Sequence, residues 1–385
     1  MLEKIRKQKV LISILCILVS AAIAVVSGMD FYRFRNYEEA IIPGEGVTDT
    51  FMLSEYLPSL AGTAGDTEVY VLQGEQEGAS MLVLGGTHAN EPAGHMAAIA
   101  LVESAKVNAG TLYVIPRANN SAFTHDDPQE GTLQLFHIET ESGSRAFVFG
   151  SRATNPVDQW PDPDVYTHYP SGQTLSGSET RNLNRAYPGV ADGNLTERMC
   201  YAITEMIKEN KIDMTVDLHE SSPEYPTINA MVAHDRAMSL ASAVTLDMAL
   251  DGVDISLEQS PTTLHGLMHR ELGDYTATDD GWEGTLAILM ETANPSHGRL
   301  RGENTEELVL TGKDPYYEEA AENGYLYIDY NDETGVPMEV RVARHLTGIH
   351  YLCVEYGNLY GEALEITGMP SYEELVNGSL SDYLN

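Results

Sequence analysis

The hydropathy pattern divides the chain into three regimes. Val10 to Gly28, VLISILCILVSAAIAVVSG, is an apolar run without a charge. At about 1.5 Å of helical rise per residue it just spans a bilayer core. Residues 29 to about 65 read as a polar lead-in with a short helical piece near TFMLSEYLPSLAG. Beyond it, apolar blocks of strand length alternate with helical periodicity. TEVYVLQG and MLVLGGTH predict strands, EPAGHMAAIALVESAKV a helix, and GTLYVIPRANN a strand leaving into a loop. Residues 120 to about 190 are rich in Pro, Asp, Gly and Ser and have little period. So long an irregular stretch within a domain is expected to line a site.

Regular structure resumes at NLTERMCYAITEMIKENK. Asn194 and Glu197 predict an N-cap with a capping box, and Leu195, Met199, Ile203 and Met206 fall on one stripe. IDMTVDLHE and TLAILMETANP follow as strands with a helix between them. In the tail, GYLYIDY and GIHYLCVEY read as strands and SYEELVNGSL as a last helix. Alternation of this kind predicts an α/β layer fold with a largely parallel or mixed sheet.

Composition and charge alter the picture at few points. Hydrophobic content of 43% and charged content of 21% over 385 residues are globular values. A net charge of -36 excludes nucleic acid as an expected partner, because phosphate binding needs a basic face. The extreme N-terminus runs the other way, with Lys4, Arg6, Lys7 and Lys9 against Glu3. That basic flank keeps the N-terminus in the cytoplasm and places the body outside, with the first helix as a membrane anchor. Ala22-Ile23-Ala24 and Val26-Ser27-Gly28 also fit a signal-peptide cleavage site, which would make the protein secreted. Of the three cysteines, Cys16 lies in the apolar run. Cys200 and Cys353 are expected as two buried thiols, with one disulfide as the alternative.

The candidate chemistry collects at strand ends. His88 follows MLVL, His219 ends MTVDL and Glu291 ends LAILM, and in open α/β sheets the carboxyl ends of strands are where ligands bind. Gly85-Gly86 permits a tight exit, and Pro92 suits the first turn of the following helix. His88 and Glu91 are thereby aimed into one pocket, where imidazole nitrogen and carboxylate oxygen are ordinary zinc ligands. The plainer reading makes His88 a turn residue and Glu91 a favourable charge at a helix N-terminus. A strand period of two puts Asp217 and His219 on one face, so Asp217 is expected near the second ring nitrogen. Two histidines and a glutamate make the open set used by a single hydrolytic Zn2+, with water in the fourth place and Glu291 as the free carboxylate that takes its proton. In TRNLNRAYPG, Arg181, Asn184 and Arg185 offer donors for a substrate carboxylate. His265 and His269 in LHGLMHRE have chelating i, i+4 spacing but lack the glutamate of HExxH, and read as a surface or pocket-lining pair.

GGTHANEPAG, NLNRAYPG, DLHE and a glutamate ending a later strand together resemble the zinc carboxypeptidase superfamily over about residues 68 to 295. The first motif is especially similar to its succinylglutamate desuccinylase and aspartoacylase group. The resemblance implies a three-layer α/β/α fold around a mixed, roughly eight-stranded sheet. It makes His88, Glu91 and His219 the ligands of one Zn2+, Glu291 the general base, and Asn184 with Arg185 the holders of a substrate carboxylate. Three departures stand out. Asn182 takes the place of the aspartate that usually opens DxNR. The arginine that steadies the oxyanion is either Arg117 or Arg152, of which Arg117 is preferred, and Tyr275 has no convincing local motif as a closing tyrosine. The expected organisation is an anchor or signal segment at 1–28, a lead-in at 29–65, a hydrolase domain at 66–300 and a C-terminal extension at 301–385, either separate or the far edge of the same sheet. The expected activity is cleavage of an amide bond next to a free carboxylate outside the cytoplasm, in a small peptide. Deacylation of an N-acyl amino acid is the second expectation, and a zinc-free binding module on the same fold is the third.

Overall fold

The computed structural model describes residues 2–127 and 131–385. It divides into two units, Met1–Glu38 and Glu39–Asn385. The first is helix α1 (Leu2–Arg35). Its Lys4–Arg35 portion is long and apolar enough to cross a membrane by length and composition.

In the second unit the strands are β1 (Asp49–Met52), β2 (Glu68–Gln73), β3 (Gln76–Leu84), β4 (Lys106–Ile115), β5 (Leu135–Thr140), β6 (Gly143–Val148), β7 (Val165–Thr167), β8 (Thr174–Ser176), β9 (Met214–Ser221), β10 (Ala230–Ala233), β11 (Ser256–Gln259), β12 (Leu286–Ala293) and β13 (Glu365–Thr367). The helices are α2 (Pro92–Ser104), α3 (Leu195–Asn210), α4 (Met238–Leu250), α5 (Met268–Tyr275), α6 (Glu306–Thr311), α7 (Pro315–Glu322), α8 (Met338–Tyr360) and α9 (Tyr372–Asn377). Among the described residues, nine strands make one mixed sheet in the order β1-β2-β4-β3-β9-β12-β10-β11, with β13 alongside β4. The centre, β4-β3-β9-β12, is parallel. Antiparallel pairs flank it, β1-β2-β4 on one side and β12-β10 on the other, and the outermost β11 is parallel to β10.

Helices cover both faces of this sheet, and the period of two sorts the core between them. Val216, Leu218, Met231 and Met290 join α2, α4 and α8 on one side. Leu82, Val232 and Leu289 join α3 and α5 on the other. Gly94 lets α2 approach β9, since a Cβ there would meet the Leu218 carbonyl oxygen at 2.2 Å. The capping box at Asn194 and Glu197 is formed as expected and starts α3.

Several local expectations are corrected. GIHYLCVEY is not a strand but the second half of α8. Its short aromatic and β-branched run imitates a strand, whereas Val342, Leu346, Ile349, Leu352 and Tyr356 carry a helical period into the core. Gly348 sits inside the helix, where a Cβ would meet the Met290 side chain at 2.3 Å. GYLYIDY forms no strand: Tyr325 and Tyr327 are exposed, Tyr327 N bonds the Pro223 carbonyl, and Ile328 and Tyr330 pack on a small cluster of Ile228, Ala293 and Val336. The piece at TFMLSEYLPSLAG is strand β1 followed by two single 3-10 turns. The stretch 120–190 contains two small hairpins, β5–β6 and β7–β8. Cys200 and Cys353 are free and buried in the cores on opposite faces of the sheet, so no disulfide joins them.

Candidate active site

Parallel register brings the site together. Glu291 on β12 stands opposite His219 on β9, and Leu84 at the end of β3 stands opposite Asp217. Partnered residues project to the same face, so Asp217, His219 and Glu291 share one end of the sheet. Gly86, at φ +62° and with Phe123 packed where a Cβ would go, turns the chain out of β3 so that His88 and Glu91 reach the same place before α2 begins.

His88, Glu91 and His219 are each 2% exposed and meet. His88 Nδ1 lies 2.6 Å from Glu91 Oε1, and His219 Nδ1 lies 2.9 Å from Glu91 Oε2. The two imidazoles stand edge to face with centroids 4.7 Å apart. Each ring's other nitrogen is held from outside: His219 Nε2 by Asp217 Oδ2 at 2.9 Å, and His88 Nε2 by Asn182 Oδ1 at 3.0 Å. Asp217 is fixed in turn by the Thr87 hydroxyl at 2.8 Å. Both Nδ1 atoms and both carboxylate oxygens therefore face one point, with the outward nitrogens committed as donors. This donor set fits zinc.

The electrostatics agree with that geometry. Burial pushes the His88 imidazole down to about 4, so it is neutral. Burial would do the same to His219, but Asp217 and Glu91 at its two nitrogens reverse this and hold it well above the usual imidazole range. Burial would raise Glu91, and the two histidines instead hold it well below the carboxylate range.

Glu291 is different. Burial, with the Glu91 and Asp217 charges adding to it, pushes its carboxyl up to about 8 against the pull of His219 and Arg152. Its Oε2 is buried with no hydrogen-bond partner. A buried carboxylate oxygen without a partner is costly, and it borders a cleft of about 750 Å³ lined also by His88, Glu91 and His219.

Asn184 and Arg185 also line the cleft. The Asn184 amide oxygen accepts from Met268 N at 2.8 Å, which leaves its NH2 for a ligand. Arg185 donates to the Asn184 carbonyl at 2.6 Å and has Glu179 3.7 Å from its Nε. Arg181 is drawn off into a pair with Asp162 and does not line the cleft. Of the two other arginines, only Arg152 lines it, half-exposed and 3.8 Å from Glu91 Oε1. Arg117 does not. It lies over the Phe123 ring, 3.8 Å from Glu39, whose buried carboxylate also takes His95 at 2.6 Å and the Val148 amide. Tyr275 is exposed and outside the lining, where Tyr225 stands instead. The two histidines of LHGLMHRE part company because α5 begins only at Met268: His269 lines the cleft, and His265 bonds Glu271.

Three contributors carry no sequence signal of their own. Glu220 accepts from Ala93 N and pairs with Arg341 of α8 at 2.9 Å, both fully buried, while its own amide donates to Glu91 Oε2 at 3.0 Å. Glu179 accepts from the Asn182 amide at 2.8 Å. Arg341 lies over 120 residues from Glu220 in sequence, and no local pattern joins them.

No protein-family model matches this chain, and no curated protein does. Among solved structures, an aspartoacylase-family protein of Mesorhizobium loti is similar at 17% identity and a TM-score of 0.34, the match covering 59% of this chain and 56% of that one. A succinylglutamate desuccinylase of Silicibacter is similar at 19% identity and a TM-score of 0.34, over 59% and 53%. The mDAP-bound form of Csd4 of Helicobacter pylori, a D,L-carboxypeptidase, is similar at 12% identity and a TM-score of 0.42, over 78% and 56%. The matches thus span little more than half the length of those chains.

Proposed function

We propose that this chain is a zinc-dependent hydrolase that cleaves an amide bond next to a free carboxylate, acting outside the cytoplasm on a small peptide. The observation that carries the reading is the meeting of His88 Nδ1 and His219 Nδ1 on the two oxygens of Glu91, with the unpartnered Glu291 on the strand beside them. His88, Glu91 and His219 would hold one Zn2+, which when bound supplies a Lewis acid and lowers the pKa of water.

The chain's own residues do the rest. Glu291 takes a proton from the attacking water and returns it to the leaving nitrogen. Burial raises its pKa, which strengthens the carboxylate as the base toward the water proton. Arg152 faces the negative charge that develops on the carbonyl oxygen. The Asn184 amide and the Arg185 guanidinium hold the substrate carboxylate and so fix which bond lies against Glu291. The apolar helix at residues 4–35 and its basic start support a membrane anchor with the hydrolase domain outside.

The test is hydrolysis by the zinc-loaded protein of short peptides with free and with amidated C-termini, beside N-acyl amino acids. Cleavage of the free peptides alone supports the reading. Turnover of acyl amino acids with no peptide cleavage would transfer the assignment to a deacylase. Indifference to the C-terminal block would remove the role given to Arg185.

A further inference from the structure

Outside the cleft, the β7–β8 hairpin, the NLNRAYPG turn and the start of α5 meet at a second cluster of ligating groups. One donor atom from each of His168, His265 and Glu271 lies within 4.8 Å of the others. The two imidazoles are nearly parallel, 20° between planes, with centroids 5.8 Å apart.

The proton inventory favours ligation. His168 Nε2 lies 2.6 Å from the Tyr187 carbonyl, which only accepts, so the proton sits there and Nδ1 carries the lone pair. Among the described residues the Ser171 hydroxyl meets that lone pair, at 2.8 Å, while its oxygen accepts from Gln173 N at 3.1 Å. His265 Nδ1 lies 2.8 Å from Glu271 Oε1, which also accepts from Gly266 N at 3.0 Å. The other oxygen, Glu271 Oε2, is buried without a hydrogen-bond partner in a residue of 0% exposure. A carboxylate whose second oxygen is orphaned in the interior lacks an expected partner.

We propose that His168, His265 and Glu271 bind a second divalent cation of the zinc class. Two imidazoles and a carboxylate are an ordinary set for such an ion. Ligands at about 2.1 Å in a tetrahedron stand roughly 3.4 Å apart, so small side-chain rotations close the set. The His265 side chain is 27% exposed, which gives the ion an entry path and water a fourth place.

The ion acts as a staple for the substrate-binding loop. Tyr187 follows Arg185 by two residues and gives its carbonyl to His168. Gly266 lies against the Arg185 backbone, where a Cβ would meet the Arg185 carbonyl oxygen at 2.0 Å. Met268 N holds the Asn184 side chain. An ion at the cluster therefore joins the hairpin to α5 beside the loop that presents Asn184 and Arg185.

The experiment is zinc stoichiometry on the full chain in detergent, measured by elemental analysis after dialysis against a weak chelator. Wild type should retain two equivalents. His88→Ala/His219→Ala should retain one, and adding Glu271→Gln to that background should leave none. In the same background, added zinc should raise the melting temperature, and Glu271→Gln should abolish that rise. His265→Ala, at a partly exposed position, serves if Glu271→Gln does not fold. One equivalent in wild type together with none in His88→Ala/His219→Ala, with an unchanged circular dichroism spectrum, overturns the second site and leaves the hydrolytic one standing; one equivalent in both proteins keeps the second site and removes the hydrolytic one.

Discussion

His88 Nε2 rests 3.0 Å from the amide oxygen of Asn182, and the NH2 of the same amide donates to Glu179 at 2.8 Å. The amide cannot be turned around, because its nitrogen must face the carboxylate and its oxygen the ring N–H. Asn182 thus performs the task of an aspartate with a neutral group, and the missing charge sits one bond further out on Glu179. Groups that hold a ligand's second nitrogen are worth about 10–100-fold in metal affinity. Asn182→Leu should weaken zinc binding by about that factor, read by competition with a chromophoric chelator. Asn182→Asp should bind at least as tightly as wild type. Equal affinity in Asn182→Leu and wild type would make the contact incidental.

Glu291→Gln tests the division of labour between ligands and base. The amide keeps the volume of the side chain and removes only its proton chemistry. Zinc content should be unchanged while kcat falls by about 10²–10⁴, the usual contribution of a positioned acid or base. Retention of full turnover would remove Glu291 from the reaction, and loss of zinc would make it a ligand.

Much of this was legible in the sequence because the relevant physics is local. A strand followed by two glycines, a histidine and a glutamate before a proline specifies its own turn, and the capping box at Asn194 specifies its own helix start. His88, Glu91, His219 and Glu291 each sit at a strand end, and parallel pairing then brings those ends together. What was not legible depends on distant pairing. Arg117 and Arg152 are equivalent as text, and only the fold shows that Glu39 holds one of them away from the cleft while the other faces it. Helix α8 reads as a strand because its apolar period needs a window longer than the aromatic run that dominates it. Glu271 reads as one more acid in an acidic chain until the fold sets it beside His168 and His265.

Glu39 carries a pH prediction. Burial would raise its carboxyl, but His95 first and then Arg117 reverse this and hold it below the usual value of 4.5. A folded-state pKa below the unfolded one contributes stability that is present above pH 4.5 and lost as pH falls through the folded value. Glu39→Gln leaves His95 and Arg117 without their buried partner and should cost about 3–5 kcal/mol at pH 7. The gap between wild type and variant should narrow as pH drops below about 4.5. Urea melts at pH 7 and near pH 3.5 measure it, and a gap that does not change with pH would show that the carboxylate charge contributes nothing.

The pair between Glu220 and Arg341 makes helix α8 part of the site. Glu220 stands next to His219 in sequence, its amide donates to Glu91, and its carboxylate is fully buried against Arg341 of α8. Burial raises that carboxyl to about 7 even with the arginine present, so removing the arginine leaves a group with no good state at neutral pH. Arg341→Met keeps the stem and deletes the charge, and should destabilise the fold by about 3–5 kcal/mol at pH 7. The double variant Arg341→Met/Glu220→Gln removes both charges and should recover most of that loss, because the single change suffers from the stranded acid rather than from a missing attraction. Denaturant melts of the three proteins decide it. If the double variant is no more stable than Arg341→Met, the cost lies in the lost bond to the Val309 carbonyl and in packing, and the link from α8 to the DLHE strand is steric instead of electrostatic.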